Sequence, residues 1–223
     1  RRGEPSIARP SVMSMFVGHT MFRRLIMAQF FLTVGINTFY QFYPLMLAEK
    51  FGADAVMIAE INMFFTGSMI LFAIFGVKRL EKIWPLGKKL MLGGMAHAVL
   101  MLVVMWATSP LVGIVIATFI GFAVAIMNAA LPAFLSRETP DLEQGAVMGA
   151  MTSSFCLAQA FISVFGGWVA SDEGGQSVFY ALWGVENWQL TFVIGSLAAV
   201  MGAVMVRRIR KRYSVKLKAG GPA

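Results

Sequence analysis

The sequence predicts an all-α membrane protein with six transmembrane helices. Of its 223 residues, 58% are hydrophobic and only 13% are charged, whereas charged residues make up about 25% of a typical soluble domain. Six charge-poor stretches are each of the length needed to cross about 30 Å of hydrocarbon. All but one of the 19 lysines and arginines lie in alternate connections between these stretches. Together these observations exclude a soluble enzyme and predict a polytopic membrane domain.

Each predicted span is a hydrophobic stretch bounded by charged residues or by a turn. Residues 1–20, which are polar and basic, are predicted to be a cytoplasmic linker, and residues 207–223 a basic, disordered cytoplasmic tail. A polar turn ending in Pro110 separates spans three and four. The six-helix domain covers residues 21–206, with spans at 25–48, 55–77, 90–106, 111–135, 146–171 and 187–206.

The distribution of basic residues predicts the orientation of the spans. Only Lys50 lies outside the N-terminal segment, the second and fourth loops and the tail. The positive-inside rule therefore predicts that both termini are cytoplasmic, and an even number of spans requires both termini on one side. Basic segments also bind anionic headgroups, but that alternative does not explain why the opposite side is almost empty of basic residues.

A weak internal repeat suggests two three-helix units. Spans one and four both close with proline followed by apolar residues, at Pro44 and Pro132, and several residues of span two recur in span five after 90 positions. Because each unit has three spans, the second would be inverted relative to the first, an arrangement typical of secondary transporters. A chance match of so few residues is the alternative.

A polar stripe on span one is the main candidate for binding a solute. Successive four-residue steps place its members on one helix face, and such groups in hydrocarbon must meet protein or water. The stripe either lines a hydrated cavity or forms interhelical hydrogen bonds. Asn128 on span four is a second candidate with the same two interpretations. The candidate cavity residues are Gln29, Thr33, Asn37, Tyr40, Gln41 and Asn128.

Three further groups of residues have predicted roles. Small residues recur every three or four positions along span five and predict a helix-packing face: Gly145, Gly149, Ser153, Ala160 and Gly167. Glu60 near the start of span two and His97 in span three are candidates for proton coupling. Alternatively, Glu60 is an interfacial carboxylate and His97 a hydrogen-bonded packing residue.

No signature of an enzyme accompanies these features. His19 and His97 have no carboxylate or cysteine at ligand spacing, so no metal site is predicted. The sequence contains neither a nucleophile elbow nor a phosphate-binding loop. We therefore predict no enzyme activity, no cofactor and no nucleic-acid partner, because the basic residues follow the membrane orientation rule instead.

Two connections resemble the major facilitator superfamily. Residues 131–140 (LPAFLSRETP) followed by 144–149 (QGAVMG) are similar to its tenth-to-eleventh helix junction, most closely in drug-efflux members such as the tetracycline/proton antiporters. Residues 76–82 and 87–89 resemble its basic cytoplasmic loop, although the basic pair is displaced by four residues, and the family's Gly-Pro pair in helix eleven is absent. The loop residues concerned are Lys78, Arg79, Glu81, Lys82, Lys88 and Lys89.

The resemblance implies a C-terminal six-helix half of a major facilitator fold, with an N-terminal six-helix half missing. Spans one and four would line the cavity, and spans two and five would face the missing half. The implied function is secondary active transport of a small organic solute by alternating access, proton-coupled and efflux-like, in a bacterial inner membrane. A self-contained six-span transporter that works as a dimer is the alternative, and an intramembrane hydrolase is a remote third.

The predicted topology can be tested with single cysteines introduced after replacement of Cys156 by serine. Ser109→Cys should react with an impermeant thiol reagent added to intact cells, because its turn is expected outside. Ser214→Cys should react only after permeabilisation. Labelling of Ser214→Cys in intact cells would contradict the orientation.

Overall fold

The computed structural model describes residues 20–137, 139, 144–170 and 187–218. These residues form six membrane-length helices, as predicted. The helices are α1 (Thr20–Phe51), α2 (Ala55–Glu81), α3 (Leu86–Val104), α4 (Pro110–Arg137), α5 (Gln144–Ala170) and α6 (Asn187–Lys218). Most of the predicted linker and residues 219–223 lie outside the described residues. Helix α6 continues beyond its predicted end to Lys218, so residues 207–218 are helical rather than disordered.

Local sequence signals explain where the helices begin and end. Gly52 follows α1 with φ of 64°, a left-handed conformation that glycine adopts without steric cost. Two residues later, the Asp54 carboxylate caps α2 by accepting a hydrogen bond of 2.8 Å from the Met57 amide. Helix α4 starts with Pro110, which needs no backbone donor at that position. The connections after α1, α2 and α3 are therefore turns of only three to five residues.

The packing of the helices follows the predicted inverted repeat. Helix α1 of the first unit packs mainly on α5 and α6 of the second, and α4 of the second unit packs mainly on α2 and α3 of the first. Helices α3 and α6 pack on each other. Exchanging the two units leaves this pattern unchanged, which confirms two inverted three-helix repeats. Pro44 and Pro132 occupy matching places inside α1 and α4.

The closest helix contact joins α1 to α6 through glycines. A methyl group on Gly35 would lie 2.8 Å from the Ala199 Cβ and 3.0 Å from the Gly195 carbonyl oxygen. One on Gly202 would lie 2.9 Å from the Ala28 carbonyl oxygen. Distances under about 3 Å do not occur between real side chains and neighbouring backbone, so the two backbones are close enough that only glycine fits.

Helix α3 joins the same contact from the side. A methyl group on Gly94 would lie 2.8 Å from Leu32 Cδ2 and 3.1 Å from Ala203 Cβ. His97, one turn further along α3, is fully buried, with its ring edge against Phe39 at a centroid distance of 6.3 Å. Helices α1, α3 and α6 therefore form the central core, while α2 is mostly exposed along its length.

Lys50, near the C-terminal end of α1, contacts the ends of two other helices. This contact lies at the end of the bundle opposite to Thr20 and Lys218. Its Nζ donates a hydrogen bond to the carbonyl oxygen of Met105, at the C-terminal end of α3. The same Nζ lies 5.8 Å from the ring centroid of Trp188, in the first turn of α6. A cation is favoured both at a helix C-terminus and over an indole face, so the one basic residue predicted outside the cytoplasmic side has a structural role.

Replacing Gly202 with alanine should destabilise the fold, because the new methyl group meets the α1 backbone, which cannot move aside. Overpacking of this kind costs about 1–3 kcal/mol of the free energy of unfolding. Gly67→Ala on α2 is the matched control, since no atom lies within 4 Å of the position that its new methyl group would occupy. Thermal unfolding in detergent should show a lower midpoint for Gly202→Ala only. Equal midpoints would contradict the close α1–α6 contact.

Candidate solute-contacting face

The polar stripe of α1 divides into a buried part and an open part. Gln29, Thr33 and Asn37 are buried, with 1%, 3% and 7% of their surfaces exposed. Tyr40 is 39% exposed and Gln41 is partly exposed. The described residues therefore leave only the last turn of the stripe open to a solute, whereas the first two turns pack between helices.

Two amides of the stripe bind helix α5. Gln29 Nε2 donates to the carbonyl oxygen of Met151 at 2.8 Å, and Gln41 Nε2 donates to Ser163 Oγ at 3.0 Å. The two acceptors are twelve residues apart, as are the two donors, so α1 and α5 run parallel and in step. Gln29 therefore forms the interhelical hydrogen bond that one interpretation of the stripe predicted. Gln41 also bonds to α5, but its partner Ser163 lies at the open surface.

Ser163 lies in an irregular turn of α5. Residues Ile162–Gly166 are π-helical, and Gly167 bonds back to the carbonyl oxygen of Val164. Gly166 faces Phe42 of α1, whose ring would lie 2.8 Å from an added methyl group. Such π-turns widen a helix locally and occur often at functional sites. This turn falls where the family's Gly-Pro pair was expected and not found.

Tyr40 and Asn128 lie on the open surface of different helices. The Tyr40 hydroxyl donates to Met69 Sδ at 3.2 Å, and its ring meets Phe65 edge-on at 5.7 Å. Asn128 is exposed on α4 and forms no hydrogen bond with the stripe within the described ranges. The start of α1 and the end of α4 lie on the same side of the bundle. Tyr40 is twenty residues from the start of α1, whereas Asn128 is only nine residues from the end of α4. The two side chains therefore differ in depth by about 16 Å.

The two candidates for proton coupling have opposite environments. His97 has 0% of its surface exposed, in the core between α1, α3 and α6. Glu60 is exposed on α2, within its first two turns. The two residues lie on different helices. Within the described part of the chain, no cluster of histidine, cysteine or acidic residues could hold a metal ion near either of them.

The small-residue stripe of α5 points away from the rest of the described structure. Its members Gly145, Gly149, Ser153, Ala160 and Gly167 are all exposed. No atom lies within 4 Å of a methyl group placed on any of the three glycines. Helix α5 instead packs through its opposite face, with Val147, Ala150, Ser154, Ala158 and Ile162 buried. The predicted packing of the stripe therefore stays a prediction.

The basic loop residues lie around the turn between α2 and α3. Lys78, Arg79 and Lys82 are exposed, whereas Lys89 is 3% exposed in the first turn of α3. Lys88 Nζ lies 5.5 Å from the Trp84 ring centroid. The Glu81 side chain lies outside what the structure describes. The loop thus combines an exposed basic cluster with a tryptophan, a composition typical of the membrane–water interface.

A family comparison identifies this architecture. Residues 25–222 match the family model of the Major Facilitator Superfamily. The chain belongs to the major facilitator superfamily. Searches of curated proteins and of solved structures found no match. Members of this superfamily carry small solutes across membranes and are not enzymes, so the chain is an integral membrane protein whose general activity is transport.

Two features of this major facilitator chain were not predicted from its sequence. The glycine contact on α6 has a visible signal, since Gly195, Ala199 and Ala203 recur every four residues. That spacing is the same as in the α5 stripe, but on α6 it faces the core. The Gln41–Ser163 pair had no signal, because neither residue type nor spacing predicts a π-turn on a distant helix.

A double-mutant cycle on Gln41 and Ser163 tests this pair. Gln41→Leu combined with Ser163→Ala should show a coupling free energy of about 0.5–1 kcal/mol, the value typical of interhelical hydrogen bonds in membranes. Ser153→Ala is the matched control, because its hydroxyl donates to the Gly149 carbonyl of its own helix. Unfolding in detergent of the wild type, the two single variants and the double variant measures the coupling, and the control adds Ser153→Ala alone and combined with Gln41→Leu. Equal coupling to Ser153 would show that the cycle does not report on the pair.

Proposed function

We propose that this chain is one six-helix half of a secondary active transporter that carries a small organic solute by alternating access. The observation that carries the proposal is the open polar end of α1 beside α5, where Tyr40 and Ser163 are exposed and Gln41 is partly exposed. Asn128 is exposed on α4 at a different depth. Polar side chains exposed inside a hydrocarbon-length segment need water, a solute or another protein surface. A cavity between two halves meets this requirement.

The second six-helix unit would dock on α5. Its small-residue stripe is exposed along the helix and has nothing within 4 Å of its glycines, and small residues permit close helix approach. A neighbouring helix there would stand beside Ser163 and enclose the polar surface. The alternative is a second copy of this chain at the same stripe, forming a self-contained dimer.

Within this proposal the stripe of α1 has two tasks. Gln29 and Thr33 hold α1 against α5, since both are buried and Gln29 binds Met151. Tyr40 and Gln41 contact the solute from the open end of α1, and Asn37, which is buried one turn away from them, meets water that enters from that end. The Asn37 Nδ2 atom is buried and lacks a hydrogen-bond partner among the described residues, and an unmet donor of this kind costs about 1–3 kcal/mol unless water or a ligand satisfies it.

Proton coupling, efflux-like direction and location complete the proposal. Glu60 is better placed than His97 to exchange a proton with water, because Glu60 is exposed and His97 is fully buried. The charge distribution supports cytoplasmic termini. The resemblance to drug-efflux antiporters supports export across a bacterial inner membrane.

Transport by the parent protein with leucine substitutions tests the proposed contacts. Gln41→Leu and Asn128→Leu should each raise the apparent KM about tenfold, which corresponds to the loss of one hydrogen bond worth about 1.4 kcal/mol. Gln29→Leu is the matched control on the same stripe and should leave KM unchanged. Accumulation of ethidium, a fluorescent organic cation, in expressing cells provides the first assay, followed by labelled sugars and amino-acid derivatives.

Three outcomes of these assays would count against the proposal. An unchanged KM for both Gln41→Leu and Asn128→Leu would remove the polar surface from the site. An equal rise for Gln29→Leu would mean that the substitutions act through helix packing. Transport by the 223-residue chain reconstituted alone would contradict the half-transporter and favour the dimer.

A further inference from the structure

A groove on the surface of α2 and α4 opens beside the basic end of α2. Its volume is about 370 Å³, and Ser68 and Arg79 lie at its two ends. Between them its lining is hydrophobic, with Leu71, Phe75 and Phe122 among the side chains. The transport proposal does not use this groove, whose lining residues lie on α2 and α4 and include no member of the polar stripe of α1.

The shape of the groove depends on a glycine and an aromatic stack. Gly76 has no side chain, and a methyl group added there would overlap the ring of Phe72. The Phe72 ring stacks on Phe122 of α4, with ring centroids 4.4 Å apart and planes inclined by 23°. The stack forms a firm apolar wall between the two helices, and Gly76 leaves the space beside it open.

The length of the groove matches one leaflet of a bilayer. Ser68 and Arg79 are eleven residues apart on α2, a rise of about 16 Å at 1.5 Å per residue. Half of the hydrocarbon core of a bilayer measures about 15 Å. The Ser68 hydroxyl donates to the Phe65 carbonyl at 2.7 Å, so the deep end offers no hydroxyl proton to an occupant. These dimensions and this polarity suit a fatty acyl chain.

The charge at the mouth of the groove suits a phosphate. Arg79 is exposed there, and Lys78 and Lys82 are exposed in the adjoining turns. Trp84, under the Lys88 ammonium, indicates that this turn lies at headgroup level, where tryptophan and basic residues concentrate. A guanidinium forms two parallel hydrogen bonds to a phosphate, and each basic residue near the membrane surface favours anionic lipid.

We propose that this groove binds one anionic phospholipid. Its headgroup phosphate pairs with Arg79, and one acyl chain lies along Leu71 and Phe75 towards Ser68. The lipid thereby fills the space between α2 and α4 that the protein side chains leave open.

Native mass spectrometry of the full chain in detergent, titrated with phosphatidylglycerol, tests the proposal. The wild-type chain should bind one lipid saturably, and phosphatidylcholine should bind more weakly. Arg79→Gln should weaken phosphatidylglycerol binding about tenfold by removing the phosphate contact. Leu71→Trp should do the same by filling the groove.

Two matched controls separate a built site from general attraction. Ile74→Trp adds the same bulk to α2 at a residue as exposed as Leu71, 57% against 59%, but outside the groove. Arg24→Gln removes an exposed charge from α1, at the same end of the bundle as Arg79 but outside the groove. Both should bind phosphatidylglycerol like the wild type, and glycerol phosphate at the same concentration should not displace it.

Each contrary result would overturn the proposal in a distinct way. An equal loss in Arg24→Gln would mean that surface charge alone attracts the lipid. Equal binding of phosphatidylcholine would remove the headgroup contact, and displacement by glycerol phosphate would indicate a phosphate site without an acyl groove. Unchanged binding in Arg79→Gln, whose exposed side chain is not needed for folding, would contradict the site even if Leu71→Trp failed to fold.

Discussion

The close approach of α1 to α6 is the contact on which the rest of this structure depends. Lipid tails are as apolar as leucine side chains, so hydrophobicity alone does not hold membrane helices together, and short-range packing has to do so. Glycines at Gly35 and Gly202 bring the two backbones within reach of each other, and Gly94 brings α3 onto the same contact. Because one face of α1 is held against α6, another face packs on α5. The buried part of the polar stripe meets α5 there, through the bond from Gln29 to Met151.

The sequence was sufficient to predict the six helices and the inverted three-helix repeat, because hydrocarbon thickness fixes helix length and a repeated unit of three spans must be inverted. It failed at the C-terminus, where the charged residues after Val206 suggested disorder, although α6 continues to Lys218. A charge pattern marks where a span leaves the hydrocarbon, but a helix can extend into water beyond that point. Thus composition predicts where the span ends but misjudged where the helix ends.

The candidate site was harder to predict, because a four-residue spacing identifies a helix face but not what that face meets. The small-residue stripes on α5 and α6 illustrate this limit. Gly149 and Gly195 belong to similar patterns, yet Gly149 is exposed. A methyl group added to Gly195 would lie only 2.7 Å from the Thr38 side chain. The polar stripe of α1 divides in the same way between Gln29 and Tyr40. Only the crossing of neighbouring helices decides which residues of one face are covered.

The division of the stripe also bears on how such a unit could move. Gln29 anchors the lower part of α1 to the regular backbone of α5, whereas Gln41 binds Ser163 in a π-turn, where the helix is already distorted. A π-turn can change its hydrogen bonding locally without disrupting a whole helix. Movement of the part of α5 after Phe161 would have to break the exposed Gln41–Ser163 bond and separate Gly166 from Phe42, while Gln29 keeps the earlier part of α5 attached to α1. The polar surface proposed to contact the solute coincides with the end of the α1–α5 interface at which α5 is π-helical.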